Sequence, residues 1–287
     1  MHPDEAVDRD EAGGLITDRT VSVRREEWRA GVGRESDDLL AREEPLELRI
    51  AGASIAVVMR TPGDDLELAR GFMLTERIVE APAQIVAVRH CDRIEDPDAE
   101  DNVVNVVLAP EVTLDLARLR RNTFASSSCG VCGKATIAAA TGCAPPLDDA
   151  MRITMTEICA LPERLRAGQP TFDATGGLHG AALCRPDGTV LAIREDVGRH
   201  NAIDKLVGWA AQALPWPWSN LVLVVSGRTS FEVVQKALAA RIAVIVAVSA
   251  PTSLAVELAH ASGVTLVGFV RGDRACVYAG AQRIAAP

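Results

Sequence analysis

Two cysteines stand two residues apart in SSSCGVCGK, residues Ser126–Lys134. The chain has seven cysteines, and only Cys129 and Cys132 share a motif spacing. Cys91, Cys143, Cys159, Cys184 and Cys276 are scattered singly and read as small buried hydrophobes in a reducing compartment. Cys-x-x-Cys fits three chemistries. A structural zinc site needs a second pair at suitable spacing, which the sequence lacks. A catalytic zinc of the deaminase kind could borrow His179 or His200, but that chemistry also needs His-x-Glu. Here His179 is followed by Gly180-Ala181 and His200 by Asn201-Ala202. A thioredoxin-like dithiol matches Cys-Gly-x-Cys at a helix start, but that motif belongs just after the first strand of a compact domain. The third chemistry is sulfur carriage. A thiolate at a helix start has a lowered pKa, and Lys134 adds positive charge. A serine-rich, glycine-flanked loop would swing between a sulfur donor and an acceptor. Cys129, the more exposed thiol, would carry the sulfur, and Cys132 would resolve it through a transient disulfide. A loop disulfide or two buried thiols is the reading that needs no function.

A second set of polar residues follows predicted strands. Ser226-Gly227-Arg228-Thr229-Ser230 comes after Leu221–Val225. Ser249-Ala250-Pro251-Thr252-Ser253 comes after Ala243–Val248, and Val270-Arg271-Gly272-Asp273-Arg274 after Val264–Phe269. Ligands of open parallel sheets collect at the carboxyl ends of strands. Hydroxyls at helix starts suit an anion, and arginine can hold phosphate bidentately. The pattern points to a nucleotide or pterin phosphate, although Ser and Thr at helix starts also serve as plain caps. There is no Walker A sequence and no Gly-x-Gly-x-x-Gly. The run EDVGRHNAIDK packs Glu195, Asp196, Arg199, His200, Asp204 and Lys205 around a helix start, either as a site or as a capped, ion-paired turn. TGGLHGA sets two glycines before His179, which suits close approach of backbone to a ligand, or a simple turn.

The elements that must position these residues follow from periodicity. Residues 1–40 read as a disordered or poorly ordered polar tail, 41–120 as a small α+β part, 121–150 as a mobile Cys-x-x-Cys loop with a short helix, and 151–287 as an α/β domain. Leu46–Met59 alternates around Ala51-Gly52-Ala53 as a hairpin. A helix follows, with Thr61 as its expected cap and Pro62 at its first position. His179–Glu195 reads as two strands joined by Arg185-Pro186-Asp187-Gly188. Beyond it, apolar strands alternate with helices, one of them opened by a Thr229/Glu232 capping box. That pattern predicts a parallel sheet covered on both faces. The net charge is −9, and the first 44 residues hold 13 acids and seven bases, which leaves −3 for the rest. A nucleic-acid surface over the whole chain is excluded. No run reaches the ~18 apolar residues of a membrane helix, and the acidic start is no secretion signal, so a cytoplasmic location is expected.

SSSCGVCGK, TGGLHGAAL, EDVGRHNAIDKL, SGRTSFEVVQKA, VSAPTSLAVELA and TLVGFVRGDRACVY occur in that order. Together they resemble the formate dehydrogenase accessory sulfurtransferase family (FdhD-like), over roughly Pro45 to Tyr278. The resemblance implies a dimer whose C-terminal layer is similar to cytidine deaminases. It implies that sulfur arrives from a cysteine desulfurase as a persulfide on Cys129. The sulfur then passes to the molybdenum (or tungsten) bis(molybdopterin guanine dinucleotide) cofactor required by formate dehydrogenase. The family's cofactor-binding segment matches Phe269, Val270, Arg271, Gly272, Asp273 and Arg274, the strand end already chosen from its charges. Arg228, Ser226, Ser249, His179 and His200 complete the expected cofactor-binding set. No structural metal is expected.

Overall fold

The computed structural model describes residues 16–91, 101–113 and 146–285. Cys129, Cys132, Lys134 and the helix expected after them lie outside the described residues.

Four strands build the N-terminal sheet: β3 (Glu44–Ile50), β4 (Ala53–Arg60), β5 (Ile85–His90) and β6 (Val103–Leu108), in the order β4-β3-β6-β5. The expected hairpin is β3–β4, turning at Ala51-Gly52, both at positive φ. Helix α1 (Asp65–Thr75) lies against this sheet and buries Leu68, Ala69 and Met73. It starts later than its sequence suggests. Asp64, at φ 58, is the residue before it, and Thr61 does not cap. The Thr61 N–H instead donates to Asp196 Oδ2 (3.1 Å), and its hydroxyl accepts from the Val197 N–H (3.2 Å). A long-range partner has outcompeted the local cap.

The larger part follows helix α2 (Met155–Ala167), capped by Thr154, whose hydroxyl accepts from the Glu157 N–H at 3.2 Å. Helix α3 (Pro170–Thr175) leads into strands β8 (His179–Cys184) and β9 (Val190–Asp196). Then come α4 (Arg199–Ala213), β10 (Val222–Val225), α5 (Phe231–Ala239), β11 (Val244–Ala247), α6 (Ser253–Ser262), β12 (Thr265–Arg271) and β13 (Arg274–Ala279). These six strands form one sheet in the order β13-β12-β11-β10-β8-β9. Only β10, β11 and β12 run parallel; β8, β9 and β13 are antiparallel to their neighbours. The expected parallel pairing holds for the three strands joined by helices, and the sheet as a whole is mixed because β8, β9 and β13 extend it antiparallel. Tight turns at Arg185–Gly188 and Gly272-Asp273 force reversal, whereas helical crossovers permit parallel pairing. A two-residue pair, β7 (Ile153–Thr154) with β14 (Ile284–Ala285), ties the end of the chain to the start of α2.

The described part of the expected N-terminal tail is ordered differently. Strands β1 (Thr20–Arg29) and β2 (Val32–Ala41) pair antiparallel from Thr20↔Ala41 to Arg29↔Val32. Ala30 and Gly31 turn the chain at φ 51 and 82, the geometry of a two-residue hairpin turn. Ion pairs Arg24–Glu35 (3.0 Å) and Arg25–Asp38 (2.6 Å) cross between the strands. Mixed charge makes this segment look like a tail; paired across a hairpin, the same charges neutralise one another.

The capping box expected at α5 does not form. Ser230 is the N-cap, and the Glu232 carboxylate meets His200 instead.

Candidate functional site

A crevice of about 660 Å³ opens where the ends of β10 and β12 meet the start of β8. On the sheet side, Ser226 and Gly227 follow β10, Val248 follows β11, and Val270, Arg271 and Gly272 close β12. Gly272, at φ 56, occupies left-handed backbone, so the Arg271-Gly272 turn projects without a side chain at its tip. On the other side stand Leu165 and Arg166 from the end of α2, then Gln169, Phe172 and Leu178.

Hydrogen bonds lock the start of β8 to the end of β10. Ser226 N–H donates to the Gly180 carbonyl (3.0 Å), and the Ser226 hydroxyl accepts from the Gly180 N–H (2.9 Å). His179 therefore sits beside Gly227, where an added Cβ would come within 3.4 Å of its Nδ1. Burial lowers the His179 pKa, and the Arg199 and Arg228 cations lower it further against the pull of Asp196. A neutral imidazole inside a cationic rim results. At the opposite wall the Arg166 guanidinium lies 4.8 Å over the Phe172 ring and pairs with Asp173. The Glu195 carboxylate accepts from the backbone N–H groups of Thr171 (3.0 Å) and Phe172 (2.8 Å), fixing α3 as the floor of that wall. Burial raises the Glu195 pKa in spite of those two donors.

Of the residues expected from sequence, His179, Ser226, Val270, Arg271 and Gly272 line one crevice. Phe269, Asp273, Arg274, Arg228 and Ser249 are not in its lining. Phe269 is held at φ 52 by its N–H, which donates to the Ser249 carbonyl at 3.2 Å. His200 faces α5, with Nε2 3.1 Å from Glu232 and 3.4 Å from the Ser230 hydroxyl. The charged run Glu195–Lys205 mostly packs inward. Lys205 Nζ lies 2.8 Å from Asp196, both fully buried, and donates to the Thr61 carbonyl at 2.8 Å. Asp196 also accepts from Gly198 N–H (2.8 Å) and Asn201 Nδ2 (2.9 Å).

Sequence reasoning singles out Arg199 in its charged run, but not Gln169, Phe172 or Arg166. Gln169 carries no local signal, because its burial comes from long-range packing. Burial also raises the thiol of Cys159, with Asp273 adding to it, and pushes that of Cys184 up to about 12. Neither suits a chemistry that needs a thiolate. No group of three or more His, Cys, Asp or Glu is arranged to hold a metal among the described residues.

Three comparisons with known proteins place the chain among relatives. The FdhD/NarQ family model matches residues 41–285. Proteins named sulfur carrier protein FdhD are similar throughout. The one from Mycolicibacterium paratuberculosis is 48% identical over 258 residues, 89% of this chain and 95% of its own. The one from Streptomyces coelicolor is 48% identical over 276 residues, 95% of this chain and 97% of its own. A crystal structure from Desulfotalea psychrophila, named provisionally as a formate dehydrogenase accessory protein, superposes with a TM-score of 0.72. It covers 93% of this chain and 99% of its own at 23% identity, so it speaks for the fold. The chain that builds this crevice therefore belongs to the FdhD/NarQ family.

Proposed function

We propose that this chain is a sulfur carrier serving formate dehydrogenase maturation. One observation carries the reading. A chain nearly half identical to proteins named sulfur carriers has a crevice at its strand ends, edged by Arg271 and walled by apolar side chains. Its volume of about 660 Å³ is of the size that holds small molecules. The cargo in this reading is molybdenum bis(molybdopterin guanine dinucleotide), one guanosine arm of which enters the crevice. Arg271 and the nearby cations Arg228 and Arg199 face its phosphates, while Arg274 and Ser249 act from outside the lining.

The sulfur steps balance as follows. The Cys129 thiolate attacks the outer sulfur of a desulfurase persulfide; one S–S bond forms, another breaks, and the donor thiolate leaves. Attack by the Cys132 thiolate on the Cys129 sulfur then releases hydrosulfide to the cargo metal and leaves a Cys129–Cys132 disulfide. An external dithiol reduces it. The same reading includes a homodimer, a cytoplasmic location, and a cytidine-deaminase-like layer, for which the mixed order of β8–β13 speaks.

The purified protein should be incubated with a cysteine desulfurase and cysteine, and its peptides weighed. The expected result is one added sulfur on the Cys129 peptide, absent in Cys129→Ala and kept in Cys132→Ala. Unchanged mass on both cysteines, with an active desulfurase, would sink sulfur carriage and leave a chaperone that only binds the cofactor.

A further inference from the structure

Gln169 is a buried polar side chain at the crevice that the sulfur chemistry does not use. It is 2% exposed, it lines the wall between Arg166 and Phe172, and its Nε2 has no hydrogen-bond partner among the described residues. An unsatisfied buried amide is costly, so native structures rarely leave one without a use. The surroundings hold this amide in place. Gly180 is the residue opposite, and a Cβ there would collide with the Gln169 carboxamide. Gly180 is itself fixed by its two hydrogen bonds to Ser226. On the other side, Gln169 immediately precedes α3, whose first N–H groups are clamped by Glu195. Only the last torsion of the side chain is soft, since rotation about an sp³–sp² bond is broad. The donor can therefore turn toward the crevice without any backbone movement.

The rest of the wall says what it meets there. Leu165, Phe172, Leu178, Val248 and Val270 form an apolar slot with no other side-chain amide in its lining. Such a slot fits a flat ring, and an amide donor in its wall fits an acceptor projecting from that ring. A ring carbonyl projects farther than a ring nitrogen and carries more negative charge. We propose that Gln169 is a specificity-determining residue that donates a hydrogen bond to the ring carbonyl of the heteroaromatic base bound in this crevice. The proposal rests on the reading of the crevice as a guanine-nucleotide site and names the residue that reads the base.

The test is a cycle between residue and ligand, read by calorimetry on the full chain. GDP supplies the ring carbonyl. The 5′-diphosphate of 2-aminopurine riboside lacks both that carbonyl and the adjoining N1–H, and keeps the rest of the molecule; the residue–ligand cycle isolates the part that depends on Gln169. Wild type should bind GDP about tenfold more tightly than the analogue, the size of one good hydrogen bond. Gln169→Ala should lose that tenfold for GDP and change analogue binding less than twofold. Gln169→Met keeps the length of the side chain and removes the donor without adding charge, so it should lose the preference too, with an unchanged melting temperature as proof of folding. If the variants weaken both ligands equally, or wild type has no preference, the assignment to Gln169 is overturned while the nucleotide site stands. If wild type binds neither ligand, the nucleotide reading falls and takes this proposal with it.

Discussion

At the scale of single residues, the crevice is a study in which polar groups are spent and which are left over. Ser226, Asp196, Glu195 and Lys205 are all committed to internal partners. His179 is different, because burial and two arginines hold its pKa below the ordinary 6.5. The sign of the effect on stability follows. Between the lowered value and 6.5, the unfolded chain binds a proton that the folded chain refuses. The contribution of His179 is therefore fully present above pH 6.5 and is lost as pH falls through the folded pKa. Urea midpoints measured at several pH values from neutral to acidic should fall less steeply for His179→Gln than for wild type. Parallel slopes would mean that the histidine titrates normally. His179 was legible in the sequence because two glycines announce it. Gln169 was not, because nothing local in AGQPTF marks a side chain that only packing buries.

At the scale of elements, local signals located most strands and helices of the C-terminal half within a few residues. They failed where a distant group took over a local role. Thr61 was drawn to Asp196, Glu232 to His200, and both helix starts moved. The packing of α1 on α4 was equally hidden. Gly71 of α1 lies against the backbone carbonyl of Asp204, and Gly208 of α4 against that of Glu67. An added Cβ at either position would strike backbone, which cannot swing aside, so the two helices approach as only glycine allows. Alanine is the better helix former in isolation by about 1 kcal/mol. Gly208→Ala is nevertheless expected to destabilise the protein by about 1–3 kcal/mol, the usual cost of overpacking. Chemical denaturation would register this, and a neutral or stabilised variant would refute the close approach.

At the scale of the whole molecule, the two expected parts share one core. Leu46, Leu48 and Met73 belong to the same buried cluster as Ile203, Val224 and Val267. A polar knot crosses the same boundary. Lys236 Nζ lies 2.9 Å from both Asp204 oxygens, 2.9 Å from the Thr75 hydroxyl and 3.1 Å from Glu76. Burial pushes the Asp204 carboxyl up to about 6 against the pull of Lys236. Burial also works against the Lys236 ammonium, but Asp204 and Glu76 outweigh it and hold its pKa above the ordinary value. Lys236→Met would strand Asp204 and should cost about 3–5 kcal/mol, whereas Lys236→Met with Asp204→Leu should recover most of the loss. Equal destabilisation in the single and double variants would show that the knot is worth more than its charges.

No helix among the described residues is long and apolar enough to cross a membrane. The sequence by itself determined the alternation of strands and helices, the turns between them, and the residues at the strand ends, because periodicity, glycine and proline act over a few residues. The tertiary structure alone decided the order of the strands in each sheet and which of those ends meet. It also decided that β1 and β2 pair and that Gln169 is buried. Those outcomes depend on partners far apart in the chain, and no local pattern encodes a distant neighbour.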